Sequence, residues 1–133
     1  MKTYDPTEVQ VNVGTLTLTG FAEGSFIKVA KTTPELFKKK VGAKGEVSRS
    51  RVVDKSGTIE VTLKHTSPVN SKLYAIAQNP ATFPVSVIEN AENKFAAAAT
   101  EAWIEKMPSP EFSAEEPSAV WTIGCADLNF GQV

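Results

Sequence analysis

From Glu8 the chain reads EVQVNVGTLTLTG, in which Val9, Val11 and Val13 alternate with polar residues and the alternation resumes at Leu16 and Leu18 after Gly14. A period of two sends successive side chains to opposite faces of a strand, so this stretch predicts a β-hairpin turning at Gly14, where glycine tolerates a tight backbone. Phe26, Ile27 and Val29 predict a third strand over Ser25 to Lys31. The pattern then fails. Thr32 to Gly45 is broken by Pro34, Gly42 and Gly45 and carries the basic run Lys38, Lys39, Lys40, so an exposed arm or long loop is expected over 32–45.

EVSRSRVV follows, and then TIEVTLKH, in which Ile59, Val61 and Leu63 alternate on one face. The intervening Asp54–Lys55–Ser56–Gly57 has turn composition, so these two runs predict a second hairpin. Ser67 followed by Pro68 is a helix start, since the hydroxyl can cap free amides and proline is tolerated in the first turn. Leu73, Ile76 and Ala77 lie at helical spacing and Asn79–Pro80 ends the pattern, which gives one helix over about 67–79 with an apolar stripe suited to covering a sheet. Pro84 to Ile88 and Ser118 to Ala126 predict two more strands, the latter through Val120, Trp121, Ile123 and Cys125. Between them FAAAATEAWIEK, residues 95–106, supports two readings: alanine and glutamate favour a helix, while a strand with small residues on a crowded face would pair antiparallel with the last strand. The fold class read from these patterns is mainly β, with one α-helix.

Length and charge narrow the picture. At 133 residues the chain suits one domain, 1–133, with a single modest core. The net charge of −1 gives no global attraction to nucleic acid or acidic membranes. The charge is lopsided, however: residues 1–65 carry 11 Lys/Arg against 7 Asp/Glu, and residues 66–133 carry 3 against 8. Each half can attract the other half of a neighbour. The N-terminal MKTYDPTEVQ has no signal-like apolar core and no run approaches the roughly 18 apolar residues of a membrane span, so a protein made soluble in the cytoplasm is expected.

Little in the sequence points to chemistry. Cys125 and His65 are the single cysteine and histidine, with no HxxxH, CxxC or paired carboxylates, so no metal, cofactor or catalytic residue is expected. A Cys125–His65 nucleophile and base would need the fold to bring them together; a buried thiol and a surface imidazole are the competing reading. Gly42 and Gly45 lack the strand–glycine–helix context of a phosphate loop. The basic stretch from Lys38 to Arg51 could neutralise phosphates, but no aromatic residue is interleaved with Arg49 and Arg51 as a single-strand binder would require.

Three blocks, YDPTEVQVNVGTLTLTGFAEGSFIKV, VGAKGEVSRSRVVDKSGTIEVTLKHTSPVNSKL and WTIGCADLNF, together resemble the inner tail tube proteins of contractile-tailed bacteriophages. The resemblance covers most of the chain and favours the strand reading of 95–106. It implies an antiparallel β-sandwich or barrel-like subunit with one flanking α-helix, a non-enzymatic virion protein, assembled in the host cytoplasm, that forms hexameric rings stacked head to tail into a conduit for DNA ejection. It implies as partners further copies of the chain, a sheath protein, baseplate and tail-terminator proteins, and DNA in transit, with no membrane anchor. On that reading Phe37, Lys38, Lys39, Lys40 and Lys44 belong to an arm reaching the next ring, and Arg49, Arg51, Trp103 and Trp121 are candidates for a subunit interface, the two tryptophans competing with an ordinary core role. A lumen without basic residues is expected, because a passing polyanion would adhere to them. The alternative function is a soluble β-sandwich binding module that uses the 32–45 loop for a ligand.

Overall fold

The structure, a computed structural model, describes residues 9–19, 21, 27–89, 95–109, 114–115 and 117–132. Ser25 and Phe26 of the expected third strand, and Tyr4 to Glu8 of the opening block, lie outside the described residues. The strands are β1 (Val9–Val13), β2 (Leu16–Thr17), β3 (Ile27–Lys31), β4 (Phe37–Val41), β5 (Val47–Arg51) and β6 (Gly57–Lys64). After the helix α1 (Val69–Ala77) come β7 (Phe83–Glu89), β8 (Phe95–Lys106), β9 (Ser118–Cys125) and β10 (Asn129–Gln132). Eight strands form one antiparallel sheet in the order β2-β1-β7-β8-β9-β6-β3, with β10 also on β8, and β4–β5 form a separate two-stranded ribbon.

The alternation in the sequence sets which side chains are buried. On β6, Ile59, Val61 and Leu63 have no exposed surface, whereas Glu60 and Lys64 are exposed. Opposite them on β9, Ala119, Trp121 and Ile123 point the same way through the pairs Leu63↔Ala119, Val61↔Trp121 and Ile59↔Ile123. Val11 and Val13 of β1 and Val85 and Val87 of β7 continue this core across the second half of the sheet. Each large apolar side chain withdrawn from water in this way contributes roughly 1.5–3 kcal/mol.

The segment 95–106 is a strand. Ala97, Ala99 and Ala102 face the core, and their small side chains let β8 lie close against its neighbours, so packing overrides the helical propensity of alanine. β8 pairs with β7 through residues 96–102 and with β9 through 102–106, and a register shift occurs in each pairing. Such bulges bend a strand, and this one passes from one half of the sheet to the other.

α1 lies against the core through the buried Val69 and Leu73. Ser67 does not cap it, contrary to the sequence expectation: Pro68 occupies the cap position without a side-chain bond, and the buried Ser67 hydroxyl donates to the Thr19 carbonyl at 2.7 Å. The helix is instead fixed by Asn70, whose amide nitrogen donates to the carbonyls of Lys64 (3.0 Å) and His65 (3.1 Å) and whose Oδ1 accepts the indole N–H of Trp121 at 3.0 Å. Tyr74 packs edge-on against the same indole, with ring centroids 4.7 Å apart.

The expected hairpin of 46–65 does not form. β5 pairs with β4, and β6 pairs with β3 and β9. The residues expected as an exposed arm or long loop, 32–45, therefore contain the first strand of an exposed ribbon that runs on to Arg51. Asp54 to Gly57 is not a reversal of the chain; it joins the ribbon to the sheet. A tenth strand, β10, follows the one expected to be last.

Candidate functional site: assembly surfaces

β3–β6 and β4–β5 are two stretches of one long hairpin. Ile27↔Val61 and Lys31↔Gly57 in the sheet, and Phe37↔Arg51 and Val41↔Val47 in the ribbon, keep a constant sum of residue numbers, so no register is lost between them. Backbone bonds from Thr32 N to the Ser56 carbonyl (3.0 Å) and from Val52 N to the Leu36 carbonyl (2.9 Å) belong to the same register. Between these bonds the ladder is interrupted and Asp54 takes its place. Its carboxylate accepts from the Ser56 hydroxyl at 2.7 Å, the Ser56 amide at 3.0 Å and the Thr33 hydroxyl at 3.0 Å. Those donors, the Ser56 hydroxyl foremost, hold the carboxyl below its ordinary pKa. The Lys55 carbonyl accepts from Leu128 N at 2.7 Å, which ties the joint to the β9–β10 link.

The ribbon tip closes through a three-residue loop, with Gly42 N bonded to the Glu46 carbonyl and Gly45 in the left-handed region at φ 83°. Every residue of β4 and β5 is exposed. Directly opposed residues of an antiparallel pair share a face. Phe37, Lys39, Val41, Val47, Arg49 and Arg51 therefore lie on one face and Lys38, Lys40, Ser48 and Ser50 on the other. Arg49 stacks over the Phe37 ring at 4.3 Å. Lys44 is at the tip. All five residues expected in the arm are thus on the ribbon, with Arg49 and Arg51 added by its second strand.

The two tryptophans separate. Trp121 is fully buried and hydrogen-bonded in the core, out of reach of a partner, whereas Trp103 is 42% exposed. Trp103 lies across the strand from Gly124, and a Cβ there would come within 2.7–2.8 Å of the indole. The ring thus covers bare backbone on the outer face of β9. Beside it, Glu105 Oε2 lies 3.1 Å from the same point. Close by, at the β8 bulge, Asp127 replaces ladder bonds: its carboxylate accepts from the Thr100 hydroxyl at 2.6 Å, the Thr100 amide at 3.1 Å and the Glu101 amide at 3.3 Å. These bonds, the Thr100 hydroxyl first, lower its pKa.

The outer face of the other half of the sheet is chemically different. Gln10, Asn12, Thr17, Ser86, Ile88, Ala96 and Ala98 share it by register, and none of these seven is charged.

His65 and Cys125 sit at opposite ends of β6, since Cys125 pairs with Gly57 and His65 follows Lys64; at strand rise that is roughly 25 Å. No nucleophile–base pair is formed by them. Burial, then the charges of Asp127 and Glu105, push the Cys125 thiol up to about 11. Among the described residues no group of three or more His, Cys, Asp or Glu could hold a metal, and no helix is long and apolar enough to cross a membrane.

Comparison with known proteins accords with this geometry. The model of a family described as bacteriophage PhiTE tail tube protein matches residues 3–131. No curated protein sequence matches the chain. Similar solved structures include the sheath-tube complex of an extracellular contractile injection system, PVC, in its extended state, at 12% identity and TM-score 0.65 over 97% of this chain and 91% of that one. The anti-feeding prophage cap, described as a tube terminating cap, aligns at 10% identity and TM-score 0.67 over 100% and 93%. The PVC sheath/tube terminator aligns at 12% identity and TM-score 0.66 over 98% of each chain. At such identities the likeness is one of fold.

Proposed function

Given that the chain belongs to the bacteriophage PhiTE tail tube protein family, and so is a structural subunit of a tail tube with no enzymatic role, we propose that it assembles as hexameric rings stacked head to tail into the inner tube of a contractile tail. The whole chain, 1–133, acts as one domain in this reading. Sheath, baseplate and terminator proteins are its partners, and the tube conducts DNA at ejection. Sheath-tube and tube-terminator assemblies among the structures of like fold support the choice of partners.

The observation that carries the stacking is the ribbon. An isolated two-stranded hairpin is marginal in water, and unpaired strand edges invite association. This ribbon is exposed on both faces yet carries Phe37, Val41 and Val47. Its six Lys and Arg against the single Glu46 keep it soluble until it meets the acidic half of a neighbour. Replacing 37–51 by a short Gly-Ser link between Leu36 and Val52 should leave the monomer folded, with an unchanged thermal transition, and stop tube growth in sedimentation velocity. Normal tubes from that variant would overturn the stacking role.

We further propose that the uncharged face bearing Asn12, Ser86 and Ala98 lines the channel. A wall without cations lets a polyanion slide past, because each phosphate neutralised by a fixed cation adds affinity. Ala98→Lys should then slow DNA release from otherwise normal tails, and unchanged release would contradict the assignment.

A further inference from the structure

The two faces of the ribbon are chemically unlike, and among the described residues one of them has an apolar and acidic counterpart. The face with Phe37, Val41 and Val47 is 46%, 62% and 66% exposed at those residues and interleaves them with Lys39, Arg49 and Arg51. The opposite face, Lys38, Lys40, Ser48 and Ser50, is wholly hydrophilic. A surface that is both apolar and basic fits one that is apolar and acidic. Trp103 supplies it: a large, half-exposed aromatic with Glu105 beside it and Glu101 two residues before it, both exposed, and Lys106 at the strand end the one cation of that segment.

We propose that the ribbon docks through its Phe37–Val41–Val47 face onto the Trp103 surface of a second copy of this chain, with Lys39, Arg49 and Arg51 opposite Glu101 and Glu105. This rests on the stacking role of the ribbon and specifies both partners in the contact. Three arguments select the second copy. The ribbon presents a strip of apolar side chains that contact with phosphates would leave wet, so nucleic acid is the poorer match for this face. Guanidinium groups stack on aromatic faces and pair with carboxylates in planar fashion, and Arg49 already lies over the Phe37 ring, presenting an apolar and cationic surface together. Finally, the ribbon and the Trp103 surface are different parts of one chain, so the contact is heterologous and propagates along an axis instead of closing a dimer.

Charge exchange tests it in the full-length chain, since every substituted residue is exposed. K39E/R49E and E101K/E105K should each keep the wild-type thermal transition, and each should raise the critical concentration for tube formation at least about tenfold through the facing like charges it creates. The fourfold variant K39E/R49E/E101K/E105K should recover assembly, because the reversed ribbon meets a reversed receiver. K38E/K40E should assemble normally. Normal tubes from E101K/E105K, with K39E/R49E inactive, would remove Trp103 as the receiving surface and leave ribbon stacking intact. Loss of assembly in K38E/K40E alone would show that the ribbon docks by its other face. A fourfold variant that folds but does not assemble would also overturn the pairing, and a wild-type chain that never forms tubes would instead overturn the stacking reading beneath it.

Discussion

Asn70 joins three parts of the fold, and its removal has a magnitude that follows from the contacts. In Asn70→Ala the indole N–H of the fully buried Trp121 loses its acceptor, while the carbonyls of Lys64 and His65 lie in an exposed turn and regain water. An orphaned buried donor costs about 1–3 kcal/mol, and the two solvated carbonyls add little. For a chain of this size that lowers the melting temperature by roughly 3–10 °C. Trp121→Phe should cost about 2–4 kcal/mol, because it leaves a cavity as well as an unpartnered Oδ1. The double variant should be less destabilised than the sum by about 0.5–1.5 kcal/mol, the coupling of groups in direct contact. Urea unfolding followed by far-ultraviolet circular dichroism, below the concentration of assembly, measures all three. An Asn70→Ala variant within about 0.5 kcal/mol of wild type, or strictly additive effects, would refute the view that this amide anchors helix to sheet.

Other consequences concern the ribbon root, the thiol and the β8 bulge. In Gly57→Ala the new methyl would meet Leu128 Cδ2 at 2.5 Å and the Ala30 carbonyl at 2.7 Å; the side chain can yield but the ladder carbonyl cannot. A loss of about 1–3 kcal/mol in urea unfolding is expected, against no measurable change for Gly131→Ala, which has open space. Cys125 should resist alkylation at pH 8 until the protein unfolds. Its native pKa is raised to about 11 from 9.0, so the folded state retains the proton longer and stability should fall as pH rises from about 9 to about 11, a decline that Cys125→Ala abolishes. Asp127 has the opposite sign: its carboxyl is depressed, so its contribution is complete above the ordinary carboxylate pKa and is lost as pH falls through the lower native value. Asp127→Ala should flatten that acid limb and speed hydrogen exchange at the Thr100 and Glu101 amides; unchanged exchange there would contradict its role in the bulge.

The strands that bury a face were legible in the sequence, because burial on one side demands alternation: β1, β6, β7 and β9 all lie where it occurs. The same parity places Trp121 in phase with Ala119 and Ile123, a signal that separates it from Trp103. Of the ribbon, β4 was legible only as something exposed and basic, since a strand that buries neither face has no alternation to read, whereas β5 lies within the strand expected over EVSRSRVV and differs only in its partner. The hairpin expected across Asp54–Gly57 failed for a related reason. An aspartate accepting from a serine amide two residues on occurs in turns and also, as here, in a chain that carries straight on, so composition alone does not distinguish a reversal from a joint. β10 is too short to register, and its pairing depends on Asp127 filling the gap left by β9. Asn70 gave no signal at all, because its three partners come from the end of β6 and from β9, 51 residues away.

Whether this chain polymerises into a hollow tube is decided by electron microscopy of the purified protein across a concentration series, with and without sheared tubes as seeds. Hollow tubes or stacked sixfold rings above a threshold concentration are the predicted result. Monodisperse monomers at every concentration, even with seeds present, would contradict it.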